Sequence, residues 1–346
     1  MAENTNTAWM QWERNVQKAT ERYLSWRKKR SLARKARQKK RNPVVDWIDA
    51  IASAVLIVLV INQYLLQAYQ IPSPSMEPSL LVTDRIFVNK ILYGPELIPG
   101  MLKMPGFKVP ARGDVIIFES PEYISSGPLK DVLQRIVYMV TLSIVDIDKD
   151  ENGQPKHHFL IKRAIGMPGD RLRMREGDVE ILPPGESTWM RESQMKQSLG
   201  MSYPSHRTIN PDDYAYYRDQ GIASALEGAG LPVTDAQKQA LARNYEVVTD
   251  SSGTPHFRLT ALNDEIYVDL WQSRTQWALE PFNFAKAADW RLLQEGYYVP
   301  RGRIFPMGDN RDDSRDARYF GTVNLDKVLG KGLFRYWPLT RFGVIR

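Results

Sequence analysis

The chain has no cysteine among its 346 residues. That excludes a thiol nucleophile, thiolate-bound zinc and any disulfide, and it leaves the compartment open. Histidine is nearly as scarce. His157, His158, His206 and His256 fall in no ligand spacing such as H-E-x-x-H and in no recognisable triad context, so each reads as an ordinary polar residue. Hydrolytic chemistry on this chain must therefore find a base other than imidazole. Excess positive charge is also missing from most of the length. Residues 1–42 hold 13 Lys or Arg against 3 Glu, so the net +7 of the whole leaves about three negative charges on everything that follows. A nearly neutral body argues against a basic groove, and no nucleic-acid partner is expected. With 43% hydrophobic and 25% charged residues, most of the chain should fold, as one large domain or one domain with an elaborate insertion.

What is present begins with charge. Ten basic residues lie between Arg27 and Arg41, followed by the helix-breaking Asn42-Pro43. From Trp47 to about Leu66 the chain then reads as a membrane-spanning helix: twenty residues rise roughly 30 Å, the thickness of a hydrocarbon core. Its unbroken apolar centre is only about twelve residues long, with Asp49 near one end and Asn62-Gln63 near the other. A cleaved signal peptide fits poorly, because over forty residues precede the apolar core and no small-x-small site follows. The expected layout is a basic cytoplasmic tail over 1–46, a span over 47–68 and an extracytoplasmic body over 69–346. Trp47 and Tyr69 are placed as interfacial anchors.

After the span, β signals dominate. Arg112-Gly-Asp is a turn feeding the apolar strand Val115–Phe118. Ser143–Ile147 and His158–Lys162 flank a turn with Asn152-Gly153 and read as a hairpin. Leu172, Met174, Val179 and Ile181 alternate with charged residues around Glu176-Gly177, a hairpin with one wet face. Residues 185–300 change character, with many Gln and Ser and local helical patches. Thr234-Asp-Ala-Gln237 there is a capping box opening a helix to about Arg243. No chemical motif falls inside 185–300, so it reads as an inserted subdomain. Strand signals resume at Tyr297–Val299, run into Ile304-Phe305 and end with Gly332–Leu339.

Three elements outside that insertion carry chemistry. Ile71-Pro-Ser-Pro-Ser-Met-Glu-Pro-Ser-Leu80 follows the span directly and offers Ser75 as a nucleophile. A serine hydroxyl needs a base; with no histidine in a recognisable triad context something else must serve, and a lysine can. An ordinary ammonium, with a pKa near 10.4, must be brought down by about three units, and burial among apolar side chains can do that. Lys162 is set between Phe159-Leu160-Ile161 and Ala164-Ile165. In an extended strand its neighbour Arg163 points to the opposite face, expected to be wet. The third element, Gly308-Asp-Asn-Arg-Asp-Asp-Ser-Arg-Asp-Ala-Arg318, lacks the spacing and terminal Glu of a calcium loop. It reads better as an ion-paired loop supporting a site.

In this order, the Ser75 box, the Arg112-Gly-Asp turn, the Lys162 box and the Gly308–Arg318 box resemble the ordered motifs of the bacterial type I signal peptidases, or leader peptidases. The resemblance runs from the anchor to the C-terminus and is weakest across 185–300. It implies a mainly β, signal-peptidase-like catalytic domain with an inserted second subdomain, preceded by one N-terminal transmembrane helix. It implies a membrane-anchored serine endopeptidase with a Ser/Lys dyad: Ser75 as nucleophile, Lys162 as general base, and Ser73 joining the Ser75 N–H in the oxyanion hole. Ser314 matches the serine that orients the lysine, and Asp316 and Arg318 match a supporting ion pair. Tyr69, Ile71, Met76, Leu80 and Ile161 fall where the family lines apolar pockets for small substrate side chains. Pro74, Ser79, Asp313 and Ala317 depart from the commonest family residues without removing a group the chemistry needs. The implied partners are secretory preproteins with small residues before the cut, the lipid bilayer and a nearby protein-export channel in a bacterial inner membrane. No metal and no cofactor are expected. Two other readings account for less. A self-cleaving repressor of the related Ser/Lys type would carry a DNA-binding helix-turn-helix where this chain has a tail and a span. A non-enzymatic, membrane-anchored adaptor binding anionic lipid leaves Ser75, Lys162 and Ser314 as coincidences.

Overall fold

The computed structural model describes residues 2–38, 43–98, 102–123, 127, 133–134, 137, 141, 158–242, 245–249, 255–259 and 264–345. They divide into two compact units, Met1–Ile57 and Val58–Arg346. The first unit holds helix α1 (Ala2–Gln38) and most of α2 (Pro43–Tyr64). Pro43 opens α2, where a missing N–H costs nothing. The 22 residues of α2 are long and apolar enough to cross a membrane, and its most apolar stretch is not buried.

The helix stops at Tyr64, short of the expected boundary, and residues 66–68 already belong to the first strand. The reason is local. Leu66–Gln70 satisfies its backbone by pairing with Arg85–Asn89, while Gln63 Nε2 donates to the Glu96 carbonyl at 2.8 Å and Tyr64 donates to that of Leu97. Tyr69 is accordingly no interfacial anchor. It is buried, its ring edge-on to Phe159.

In chain order the second unit contains β1 (Leu66–Gln70), β2 (Arg85–Asn89), β3 (Glu96–Ile98), β4 (Leu102–Lys103), β5 (Val115–Glu119), β6 (Phe159–Gly166), β7 (Arg171–Arg175), β8 (Asp178–Leu182) and β9 (Met190–Arg191). Helices α3 (Glu192–Ser198), α4 (Tyr214–Gly228) and α5 (Asp235–Ala242) follow, then β10 (Tyr245–Thr249), β11 (Pro255–Leu259), α6 (Glu265–Leu279) and α7 (Phe284–Glu295). The chain closes with β12 (Tyr297–Tyr298), β13 (Arg303–Met307), α8 (Ala317–Phe320), β14 (Val323–Asn324), β15 (Val328–Trp337) and β16 (Gly343–Val344). The main sheet has the order β1-β2-β15-β5-β6-β13-β14, with β16 beside β15 and its pairs antiparallel. A smaller sheet, β12-β7-β8-β9, forms a second layer.

The apolar run of β5 shows how the main sheet is covered. Val115 and Ile117 join one core cluster with Tyr69, Ile71, Met76, Leu80 and Ile161. Ile116 and Phe118 join another with Ala164, Ile304 and Val328. The strand is buried on both faces, which is why its sequence is apolar throughout rather than alternating. The β7–β8 hairpin does alternate as expected, and its two-residue turn uses positive φ at Glu176 and Gly177, the geometry that matches strand twist. Leu172, Val179 and Ile181 from this hairpin share a core with Met195, Tyr203, Phe305 and Met307. The second layer thus begins ahead of residue 185 and shares a core with the main sheet. In the helical part, the Thr234 box caps α5: Gln237 N donates to Thr234 Oγ1, and Thr234 N to Gln237 Oε1. The hairpin arm expected at Ser143–Ile147 lies outside the described residues.

Candidate active site

Ser75 is the middle residue of a tight 3-10 turn, Pro74–Met76, reached a few residues after β1 ends. Pro74 pre-sets the first turn position, and the Glu77 N–H closes the turn onto the Pro74 carbonyl at 2.9 Å. The turn is then pinned from the far end of the chain. Asn310 N donates to the Ser75 carbonyl at 3.1 Å, and Asn310 Nδ2 to the Pro74 carbonyl at 3.3 Å. Lys162 comes from β6, opposite Ile116 of β5. Its Nζ lies 2.6 Å from Ser75 Oγ, as donor when charged. Once the amine is neutral, the same line carries the hydroxyl proton to nitrogen. Ser73 Oγ is 3.1 Å from Ser75 Oγ on another side.

The pair is dry, with Ser75 7% and Lys162 3% exposed. Burial brings the Lys162 amine down to about 8, and the nearby Arg318 adds to this, while the negative Asp316, Asp309 and Asp313 resist. Desolvation wins because no carboxylate bonds the amine directly: its hydrogen bond among the described residues goes to Ser75.

The Gly308–Arg318 loop is ion-paired as expected. Asp316 takes Arg318 Nε at 2.8 Å and the Gly308 N–H at 2.9 Å. Burial pushes Asp316 up, but Arg318, the Gly308 N–H and Lys162 outweigh it, and its carboxyl sits below the usual carboxylate range. Ser314 differs from expectation. Its buried hydroxyl has no hydrogen-bond partner among the described residues, so the bond expected to orient Lys162 is not made. Ser314 instead packs against the Cα of Gly308, where a methyl would collide with both the Ser314 hydroxyl and the Ser75 carbonyl.

Arg163 also differs. It does point away from Lys162, but its side of β6 is not wet: it is 0% exposed. Its guanidinium forks onto Asp309, with Nε to Oδ1 at 2.7 Å and Nη2 to Oδ2 at 2.6 Å. It also donates to the Gly113 carbonyl and lies 4.5 Å from the centre of the Tyr203 ring. Alternation gave the direction correctly. What it missed is that the second layer covers this face too.

That layer also grips the Gly308–Arg318 loop. Arg311 forms a two-pronged buried ion pair with Glu192 at the start of α3, one prong at 2.7 Å, and donates to the Gly308 carbonyl. Tyr203 donates to the same Glu192 at 2.8 Å. Burial pushes Glu192 up, but Arg311 outweighs it and holds the carboxyl below its usual range. His206 N donates to the Asp309 carbonyl and Arg311 N to that of His206, and Asp312 accepts from the Thr208 and Ile209 N–H groups. Arg112, in the turn before β5, bonds Asp170 at 2.8 Å and the Ile165 carbonyl, tying down the end of β6. Asp309 and Arg311 stood inside the loop singled out by sequence. Glu192, Tyr203 and His206 carried no signal there, because a residue that acts by packing against a distant loop has no local pattern.

Of the expected pocket residues, Tyr69, Ile71, Met76, Leu80 and Ile161 fall in one buried apolar cluster, which also includes Val115 and Ile117 of the sheet that carries Lys162. Among the described residues, no cluster of His, Asp and Glu is placed to hold a metal ion.

A hydroxyl and a desolvated lysine 2.6 Å apart suit acyl transfer, and comparison with known proteins agrees with that chemistry. The sequence profile described as "Signal peptidase, peptidase S26" matches residues 44–337, the span and nearly all of the body. The chain belongs to this family. Among similar curated proteins, a signal peptidase I of Buchnera aphidicola subsp. Baizongia pistaciae is 22% identical over 87% of this chain and 79% of its own length. One of Aquifex aeolicus is 26% identical over 82% and 80%. A crystal structure of a signal peptidase I from Enterococcus faecalis aligns with 65% of this chain and 97% of its own at 20% identity, with a TM-score of 0.22, too low to argue from. The family's match spans 185–300 as well, where sequence motifs were silent.

Proposed function

We propose that Ser75 is the nucleophile and Lys162 the general base with which this serine endopeptidase removes signal peptides from secretory preproteins. The observation that carries the reading is the contact of Lys162 Nζ with Ser75 Oγ in a dry setting. Neutral Lys162 takes the hydroxyl proton as Ser75 Oγ attacks the carbonyl carbon of the scissile peptide bond. The oxyanion that forms is received by the Ser75 N–H and by the Ser73 hydroxyl, which turns from Ser75 Oγ as that atom becomes bonded. Such a donor contributes about 3 kcal/mol to the transition state. Lys162 then gives its proton to the leaving amine, and the acyl-enzyme is hydrolysed by water that Lys162 activates in turn. Asp316 with Arg318 holds the loop behind Lys162, in which the Ser314 hydroxyl, without a hydrogen-bond partner among the described residues, stands against Gly308.

Tyr69, Ile71, Met76, Leu80 and Ile161 form the apolar floor against which small substrate side chains rest, which disfavours bulky or charged ones. The α2 helix anchors the enzyme in the bacterial inner membrane, with the basic residues 1–46 in the cytoplasm and the catalytic unit outside. There it meets preproteins leaving the export channel, and confinement to one surface raises their effective concentration. Incubating the detergent-solubilised enzyme with a preprotein and sequencing the new N-terminus tests the reading. Cleavage after a small residue, lost in both Ser75→Ala and Lys162→Arg, is expected. Normal turnover by either variant refutes the assignment.

A further inference from the structure

Helix α1 is not explained by peptide-bond cleavage. It runs 37 residues, about 55 Å, and its described side chains are exposed. Trp12, Val16, Ala19, Tyr23 and Trp26 recur at steps of four and three and so share one face. All five are exposed, including three aromatics. The next positions on that line are Arg27 and Arg30, and they reach back over it, Arg27 5.9 Å from the Tyr23 ring centre and Arg30 5.0 Å from that of Trp26. Arg14, Lys18, Glu21, Ser25 and Lys28 lie on the far side. Only four residues separate Gln38 from Pro43, so chain length keeps the end of α1 within about 18 Å of the start of α2.

We infer that the Trp12–Trp26 face of α1, continued by Arg27 and Arg30, lies on an anionic lipid surface on the N-terminal side of the α2 span. Aromatic rings with one polar edge belong at the headgroup level, and long basic side chains reach phosphates from there. Charge complementarity favours anionic over neutral lipid. A second copy of the chain is the poorer occupant. Spans inserted in the same direction would pair the two helices in parallel, and Arg27 and Arg30 would meet their own equivalents along the seam.

The absence of cysteine makes the test direct. A nitroxide label is placed on the full-length protein at Ala19→Cys on the apolar face, at Ser25→Cys on the far side, or at Leu56→Cys in α2. Each is measured in nanodiscs of phosphatidylcholine alone and of phosphatidylcholine with phosphatidylglycerol. In the anionic discs the ratio of oxygen to aqueous-nickel accessibility is expected to be several-fold higher at Ala19 than at Ser25. That difference should vanish in neutral discs, in 1 M salt, where the screening length falls to about 3 Å, and in Arg27→Gln/Arg30→Gln. Equal aqueous accessibility of Ala19 and Ser25 in anionic discs overturns the inference. Dipolar broadening between Ala19 labels in both lipids overturns it in favour of a second copy. An aqueous signal from Leu56 overturns the span, and the inference with it.

Discussion

Replacing Lys162 by Met should do two opposite things at once: abolish cleavage and stabilise the fold. The amine is brought from its ordinary 10.5 down to about 8 because burial disfavours its charged form. A shift of that size corresponds to a cost of about 3 kcal/mol on the folded state wherever both folded and unfolded chains carry the proton. That holds below pH 8. Between pH 8 and 10.5 the unfolded chain still binds a proton that the folded chain has released, so wild-type stability rises with pH across this window. Above 10.5 the penalty is gone. Methionine, of similar shape and uncharged, never incurs it. The stability difference between Lys162→Met and wild type should therefore shrink by about 3 kcal/mol between pH 7 and pH 10.5, whatever constant offset repacking adds. Parallel denaturant titrations in detergent measure it, and other groups that titrate in both proteins cancel. The same shift sets the rate. About one lysine in ten is neutral at pH 7 against a few in ten thousand for an unperturbed one, so kcat/KM should fall tenfold per unit below about pH 8 and level off above it. A pH-independent stability difference, or a rate climbing past pH 9 without levelling, would refute a desolvated base.

Three further outcomes are expected. Gly308→Ala drives a methyl into the Ser75 carbonyl and the Ser314 hydroxyl; a displacement near 1 Å should cost about a hundredfold in kcat/KM with an unchanged circular dichroism spectrum, and near-normal kinetics would show that the loop gives way. Asp309→Ala leaves Arg163 buried without its carboxylate and should destabilise by about 3–5 kcal/mol in denaturant titration, a loss under 1 kcal/mol being incompatible with the fork described. Glu192→Ala strips the buried partner from Arg311 and should likewise cost about 3 kcal/mol or more; because Arg311 also bonds the Gly308 carbonyl, kcat should drop more than KM rises, and an effect on KM alone would place Glu192 outside the support of the Ser75 turn.

The proposed nucleophile and base were legible in sequence because such chemistry leaves a local trace: a serine just past an apolar helix, and a lysine inside an apolar strand in a chain whose histidines fall in no recognisable triad context. Strand β5 and the β7–β8 hairpin were legible for the same reason, through an apolar run and a period of two. Arg163 was read half correctly. Its direction follows from strand geometry, but its burial depends on Tyr203 and Asp309, distant in the chain. The end of the span was misplaced because Leu65 and Leu66 look like more of the helix. Pairing of Leu66 with Asn89 decides otherwise, and hydropathy does not register pairing. Glu192 was invisible, since a lone glutamate at the start of a short helix is indistinguishable from a surface residue until its arginine is known.

The turn that holds Ser75 is fastened by Asn310, and the loop beside Lys162 by Asp316. Both fasteners are synthesised long after the residues they secure. A nascent chain that has emitted the serine and the lysine still lacks both fasteners, which follow well over a hundred residues later. On the proposed roles, cutting power arrives only once Asn310 and Asp316 have folded back to fasten the serine turn and the loop behind the lysine.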